Sequence, residues 1–237
     1  MMKILVNGAC GFMGQEIIKQ AVDDFFAGVD PRGEIKTLND APSGADCIID
    51  FSNHACTNDL VAYALKNDMP LIIATTGQTE EELAIIRAAS EKIPVFFAAN
   101  YSIGVTLLIN LAKKAASVMP GAEIEIVEVH HDRKLDAPSG TALAIAKAVQ
   151  EVRPGSVINC GRSGQSKRET DEIGVQSVRI GNIVGIHEVM VGTQNEMITL
   201  KHEAYSRALF AEGAIAAARF LVGKPAGLYD MNSMIKM

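Results

Sequence analysis

The sequence predicts an α/β protein, a doubly wound parallel sheet with a second, α+β domain inserted into it. Two textures carry that prediction. Up to Ser102, short and nearly uniformly apolar runs alternate with helical patterns, as parallel strands buried on both faces require. Beyond it the candidate strands lengthen and become half polar, as a sheet with one wet face requires.

Residues 3–7, 25–30, 47–51, 71–75 and 95–98 read as the parallel strands, each short and nearly uniformly apolar. Between them, residues 15–22, 58–66 and 80–90 repeat apolar side chains at helical spacing, and Thr79 with Glu82 forms a capping box for the last of these. A helix over 103–119 leads into strands at 123–129, 174–178, 183–191 and 197–202, with a helix at 140–149 and a polar loop at 153–172 among them. From Ser206, read as an N-cap, RALFAEGAIAAARFLV is helical until Gly223 and Pro225 stop it. This last helix is expected to pack back on the first domain. Residues 1–102 and 206–237 then form one domain and residues 103–205 the inserted one.

Composition agrees: 237 residues, 48% apolar and 21% charged, with 20 Gly, 8 Pro and no Trp, is ordinary globular usage. It excludes collagen-like, disordered and disulfide-scaffold chains. The net charge of −6, with no basic stripe, argues against nucleic acid or anionic membrane as the main partner. The opening MMKILVNGACG lacks the apolar core of a signal peptide, and no apolar run approaches the ~18 residues of a membrane span. Cys10, Cys47, Cys56 and Cys160 lie at irregular spacings with no C-x-x-C, which suits free thiols in a reducing, cytoplasmic setting better than zinc or disulfides.

The first chemical motif is Gly8-Ala9-Cys10-Gly11-Phe12-Met13-Gly14, between a strand and a helix. Glycines there let the backbone turn tightly and approach a pyrophosphate, and the helix N-terminus offers N–H groups and a positive dipole. The motif is G-x-x-G-x-x-G and departs from G-x-G-x-x-G at its second glycine; a tight turn that binds nothing is the alternative. Asp30 ends the next strand where a carboxylate accepts ribose hydroxyls, and Arg32 is placed to hold a 2′-phosphate instead. Asp30-Pro31-Arg32-Gly33 also reads as a polar turn, so NADH and NADPH both stay open. The loops Ala74-Thr75-Thr76-Gly77 and Ala98-Ala99-Asn100-Tyr101-Ser102 follow the fourth and fifth strands and should line the crevice at the strands' carboxyl ends.

The second motif runs from Glu128 to Leu143, EVHHDRKLDAPSGTAL. Two histidines end a strand, a basic turn follows, and Ser139-Gly140-Thr141 opens a helix whose N–H groups and hydroxyls make an anion seat. A helix dipole alone contributes about 0.3 to 1 kcal/mol, so a charge-assisted bond from Lys134, about 1.5 to 3 kcal/mol, is needed to make the seat useful. Arg162, Lys167, Arg168 and Arg207 are further candidate cations. His130 and His131 point to opposite faces if the strand persists, so one of them faces the crevice as a general acid. Hydrogen bonding of both rings to carbonyls is the structural alternative. His54, His187 and His202 carry no supporting pattern, and Met13, Met119 and Met190 read as filler.

These residues resemble the 4-hydroxy-tetrahydrodipicolinate reductase (dihydrodipicolinate reductase) family, on VNGACGFMG, ATTG, AANYSIGV, EVHHDRKLDAPSGTAL, IVGIHEV and the closing KHEAYSRALFAEGAIAAARFLVGKPAGLYDM, over nearly the whole chain. The resemblance implies a Rossmann-like domain with an inserted substrate domain. It also implies reduction of a cyclic dicarboxylate by hydride from NADH or NADPH, on the diaminopimelate route to lysine. By motif match it implies His130 as proton donor with Lys134 as catalytic partner, and His131, Ser139, Gly140 and Thr141 as holders of substrate carboxylates. Gly8, Gly11, Phe12, Met13 and Gly14 match the phosphate loop, Asp30 the ribose ligand, and Ala74, Thr76 and Ala98 to Tyr101 the nicotinamide side. It implies a homotetramer assembled through the second-domain sheet. Ala74, Ala99, Tyr101 and Ile180 depart from the usual Gly, Pro, Phe and small residue, and the segment 30–45 is short. The competing readings are an amino-acid or semialdehyde dehydrogenase of similar plan and a nucleotide sensor without turnover.

Overall fold

The computed structural model describes residues 1–235; Lys236 and Met237, which end the segment assigned above to the first domain, lie outside the described residues. The chain divides into two compact units, Met1–Ile103 with Arg207–Met237, and Gly104–Ser206.

The first unit is built on a parallel sheet of β1 (Ile4–Asn7), β2 (Phe25–Val29), β3 (Cys47–Asp50), β4 (Leu71–Ile73), β5 (Pro94–Phe97) and β11 (Gly227–Tyr229), in the order β11-β5-β4-β3-β1-β2. Because side chains alternate along a strand, each strand feeds both faces. Ile4, Val6, Ile49, Ile72 and Phe96 pack with Ile17 of α1 (Phe12–Gln20) and with Ala214 and Ala218 of α6 (Ala208–Leu221). On the other face Leu5, Ile48, Leu71, Ile73 and Val95 meet Leu60 of α2 (Thr57–Lys66) and Ile86 of α3 (Glu80–Ser90). Each such Ile or Leu contributes about 1.5–3 kcal/mol on burial. The expected Thr79–Glu82 capping box starts α3, and α6 returns to this unit as expected, its alanines allowing close approach to α1. The strand order reverses at β1, flanked by β2 and β3, so a crevice opens at the carboxyl ends there.

The second unit is a mixed sheet in the order β10-β9-β6-β8-β7. Its centre is β6 (Glu123–His130), parallel to β8 (Glu172–Arg179) and antiparallel to β9 (Gly185–Gly192), with β7 (Val157–Cys160) and β10 (Met197–Ala204) at the edges. Ile124, Ile126, Val175 and Val189 on one face pack with Leu108 and Ala112 of α4 (Ile103–Val118) and with Ile145 and Val149 of α5 (Gly140–Val152). The register puts Val127, Val129, Val178, Ile186 and Met190 on the other face, all at least partly exposed. Among the described residues no helix is long and apolar enough to cross a membrane.

Several boundaries differ from the sequence expectation. Helix α1 begins at Phe12 rather than 15, because Gly11 is the extended N-cap and the glycine turn feeds straight into the helix. The stretch read as polar loop holds β7, a four-residue edge strand too short and too exposed to show alternation. Strand β11 and the short α7 (Met231–Met234) follow Pro225, where only a helix stop was read. Helix α6 is assigned from Ala208, one residue after the expected start, with Arg207 already helical in conformation just before it.

Candidate active site

In the first unit the glycine turn is held by its own backbone and by two side chains, Asp30 accepting from the Cys10 N–H at 3.1 Å and Gln15 donating to Ala9 O at 2.7 Å. Gly8 and Ala9 donate to the Val29 carbonyl at 2.9 and 3.1 Å, and Gly11 donates to Gly8 O at 3.0 Å. Gly8 sits at φ +83°, and a Cβ there would strike the Phe51 carbonyl; a Cβ on Gly14 would strike Gly8 O and lie 2.8 Å from Ala9 Cα. Gly11 caps α1 with no side-chain hydrogen bond, so the first N–H groups of the helix keep their capacity for an external acceptor. Side-chain-free backbone against an uncapped helix start fits the pyrophosphate of a nicotinamide nucleotide.

Around this turn lie three clefts. One of about 340 Å³ is lined by Phe12, Met13, Phe51, His54, Ala74 and Thr76. Another of about 190 Å³ is lined by Met13, Phe51, Ala74, Ala99, Asn100 and Tyr101. The third, about 480 Å³, borders Val29, Pro31, Lys36, Leu38, Tyr63 and Lys66. The turn residues and the two predicted loops therefore do come together. Tyr101 is itself a core residue: buried, it donates to Ile73 O at 2.8 Å and packs against Phe51 and Phe96. Ala98 also packs on the core beside it. Met13, read as filler, packs there too while its edge lines both smaller clefts. The Asp30 carboxylate is bound by Arg32 and by the Cys10 N–H, which outweigh burial and lower it to about 2.

Sequence reasoning missed two features here. Phe51, just after β3, faces both smaller clefts. His54 carries no motif but lies 3.0 Å from Glu82, joining the loop after β3 to the start of α3.

The second unit centres on Glu128, buried on β6. Its Oε2 is 2.5 Å from His130 Nδ1 and accepts from Arg179 Nη1 at 2.8 Å; its Oε1 accepts from Arg179 Nη2 at 2.7 Å and from the Ser139 N–H at 3.1 Å. Alternation puts Glu128 and His130 on the same face, and pairing with β8 brings Arg179 opposite His130. Burial alone would raise the Glu128 carboxyl, but the bonds from Arg179, His130, Ser177 and Ser139 hold it at about 2. Burial lowers His130, and Glu128 works against that shift. His187, one strand over, packs edge to face on His130 at 5.2 Å, lies 3.1 Å from Ser139 Oγ, and is lowered to about 4 by burial and by the neighbouring His130.

Ser139 caps α5 through its Oγ, 3.2 Å from the Ala142 N–H, and Gly140 has open space where a Cβ would stand. Thr141 follows in the same first turn. His131 is half-buried beyond the strand end, its Nδ1 buried without a partner among the described residues. Lys134 Nζ lies 2.7 Å from Asp136, so the amine expected to serve an anion already has a carboxylate of its own chain.

The four further cations expected from the sequence are elsewhere. Arg162 pairs with Glu172, and Arg168 donates to Ile124 O and Glu172 O at the opening end of β6, six residues and about 20 Å from His130. Lys167 is exposed on the same loop. Arg207 stacks over Phe12 at 5.8 Å in the first unit. The cation built into the cluster is Arg179, through its bonds to Glu128, and Glu128, Arg179 and His187 are the members to which the sequence reading gave no role. Period-two spacing of Glu128 and His130 was the available signal.

The glycine cradle and the histidine beside an anion seat define a class, the NAD(P)H-dependent oxidoreductases built on a Rossmann-like sheet with an inserted domain. The chain matches the family models described as dihydrodipicolinate reductase, N-terminus, over residues 2–101, and dihydrodipicolinate reductase, C-terminus, over residues 104–235. It belongs to the dihydrodipicolinate reductase family. It is 42% identical to a 4-hydroxy-tetrahydrodipicolinate reductase of Caldanaerobacter subterraneus subsp. tengcongensis, covering 100% of this chain and 99% of that one. The corresponding reductase of Akkermansia muciniphila is also 42% identical, with 99% and 98% covered. Among solved structures, a dipicolinate-bound dihydrodipicolinate reductase from Paenisporosarcina sp. TG-14 superposes with TM-score 0.81 at 26% identity, covering all of both chains. A DAP dehydrogenase of C. glutamicum shares the fold alone, at TM-score 0.55 and 10% identity, with 97% and 92% covered.

Proposed function

We propose that this chain is a 4-hydroxy-tetrahydrodipicolinate reductase. It reduces the cyclic dicarboxylate formed from pyruvate and aspartate semialdehyde, consuming one NAD(P)H and one proton and releasing water and tetrahydrodipicolinate, on the diaminopimelate route to lysine. The observation that carries this reading is the union, in a chain alike over its whole length to such reductases, of the His130–Glu128 pair with the Ser139-capped start of α5.

The nucleotide, when bound, supplies the hydride. Gly8, Gly11, Phe12, Met13 and Gly14 hold its pyrophosphate, Asp30 or Arg32 its adenosine ribose, and Ala74, Thr76, Ala98, Ala99, Asn100 and Tyr101 border its nicotinamide side. In the second unit the N–H groups at Gly140 and Thr141, with the Ser139 and Thr141 hydroxyls, receive one carboxylate of the substrate. His131 and Lys134 hold the substrate carboxylates, Lys134 exchanging Asp136 for one of them. His130 delivers a proton from Nε2, its Nδ1 being held by Glu128. The dipicolinate in the related structure, a ring with two carboxylates, supports a ligand of that shape here.

The half-exposed valines and Ile186 on the open sheet face support assembly as a homotetramer; light scattering should give four chains, and a monomer would contradict it. The family's biosynthetic role and the exposed thiols of Cys10, Cys56 and Cys160 support a cytoplasmic location. The function is tested by following NAD(P)H absorbance while a condensing synthase makes the substrate from pyruvate and aspartate semialdehyde. Rapid substrate-dependent oxidation is expected; none, in folded protein that binds nucleotide, would overturn the reading.

A further inference from the structure

We infer that Glu128 is a positioning residue for the reduction, fixing His130 so that Nε2 carries the transferable proton and tying that histidine to the anion seat. The inference rests on the proposed reductase reading, in which Glu128 is the partner of His130, and deepens it by stating what that partnership does in the reaction.

Three observations carry it. First, Glu128 is fully buried, and each of its oxygens has two donors: His130 and Arg179 on Oε2, Arg179 and the Ser139 N–H on Oε1. An ionised carboxylate accepts and cannot donate, so His130 must present N–H at Nδ1, and only Nε2 is left to exchange a proton. Second, the strand opposite carries glycine where a side chain would interfere: a Cβ on Gly185 would stand 3.0 Å from His130 Nε2. Third, the same carboxylate grips the backbone of Ser139, whose hydroxyl caps α5. One buried group therefore orients both the proton donor and the helix start that receives the substrate. Arg179 completes the chain with a bidentate grip on both oxygens of that carboxylate.

Around His130 stand Glu128 on its own strand, Arg179 on β8, His187 on β9 with His202 beyond it on β10, and Lys134, paired with Asp136, in the following turn. Glu128 is the anion in direct contact with the ring, so its removal should make the imidazolium easier to deprotonate.

Two measurements test this. In Glu128→Gln, which keeps the shape, kcat should fall by about 10²-fold, KM for the dicarboxylate should change much less, and the alkaline limb of the kcat profile should move to lower pH. Glu128→Asp should recover part of the loss. A Glu128→Gln enzyme with unchanged kcat and pH profile would overturn the inference. Should that variant fold poorly, ¹⁵N spectra of histidine-labelled wild type decide instead, with the His130 signals identified by their loss in His130→Gln. The neutral ring is expected as the Nδ1–H tautomer with Nε2 titrating; an Nε2–H neutral tautomer would overturn it. Because the spectra need no turnover, a wild type without reductase activity would refute the proposed function while the tautomer still decides the role of Glu128.

Discussion

Arg32 closes on both carboxylate oxygens of Asp30, Nε to Oδ1 at 3.0 Å and Nη2 to Oδ2 at 3.2 Å. The backbone N–H groups of Arg32 and Cys10 fill the remaining positions. The acid placed to bind ribose hydroxyls is thus satisfied by its own neighbour, a carboxylate offering about four acceptor sites. Arg32 is 69% exposed and free to swing outward, whereas Asp30 is 5% exposed and fixed.

Arg32→Ala should therefore separate the two nucleotides. A charge-assisted bond to a 2′-phosphate is worth about 1.5–3 kcal/mol, so KM for NADPH should rise about 10- to 100-fold. KM for NADH should hold or fall, since Asp30 becomes available to the ribose. Steady-state assays with each nucleotide check this, and equal effects on both would exclude a 2′-phosphate role.

Gly14→Ala should harm the protein although alanine is the better helix former by about 1 kcal/mol. Its Cβ would meet backbone atoms of Gly8 and Ala9, which cannot turn aside. We expect about 1–3 kcal/mol of destabilisation, read as a lower urea midpoint, and weakened NADH binding, read by fluorescence. A variant as stable and as tight as wild type would mean that the turn relaxes freely.

Acid should destabilise the fold earlier than carboxylate protonation alone would. His187 is lowered from 6.5 to about 4 by burial and by His130, so the unfolded chain binds a proton that the folded one refuses between those values. Stability is fully present above about pH 6.5 and declines as pH falls toward 4, by about 2 kcal/mol at pH 5 for this group. His130 and His202, both lowered first by burial, act in the same direction. Glu128, held at about 2, adds its loss only below about 4.5. Urea midpoints between pH 7.5 and 4.5 measure the decline, and a flat profile from 7 to 5 would contradict it.

Much of this molecule was legible in the sequence because its signals are local. Uniform apolar runs gave the strands of the first sheet, Thr79 and Glu82 the capped start of α3, and the glycines around Gly11 the turn. Ser139 announced α5 in the same way. The features that escaped depend on pairing between distant segments. Strand β7 exists because its backbone finds β8, and β11 because Gly227–Tyr229 finds β5. Arg179 and His187 join the site only because β8 and β9 flank β6 in one register. Arg168 looked like an anion-binding cation, yet folding spends it on carbonyls at the far end of the strand.

Lys134→Ala should impair both turnover and binding of the dicarboxylate. Its side chain is 23% exposed and its amine lies 2.7 Å from Asp136, a partner it exchanges for a substrate carboxylate. Loss of one charge-assisted contact corresponds to about 10- to 100-fold in kcat/KM. Normal kcat and KM would remove Lys134 from the site.

The claim that reduction runs on a proton from His130 is tested most directly by kcat and KM of His130→Gln with saturating nucleotide. If the ring acts in the transition state, kcat should fall by about 10²- to 10⁴-fold while KM for the cyclic dicarboxylate stays within a few-fold. A kcat equal to that of the wild type would contradict the claim and assign the proton to another group.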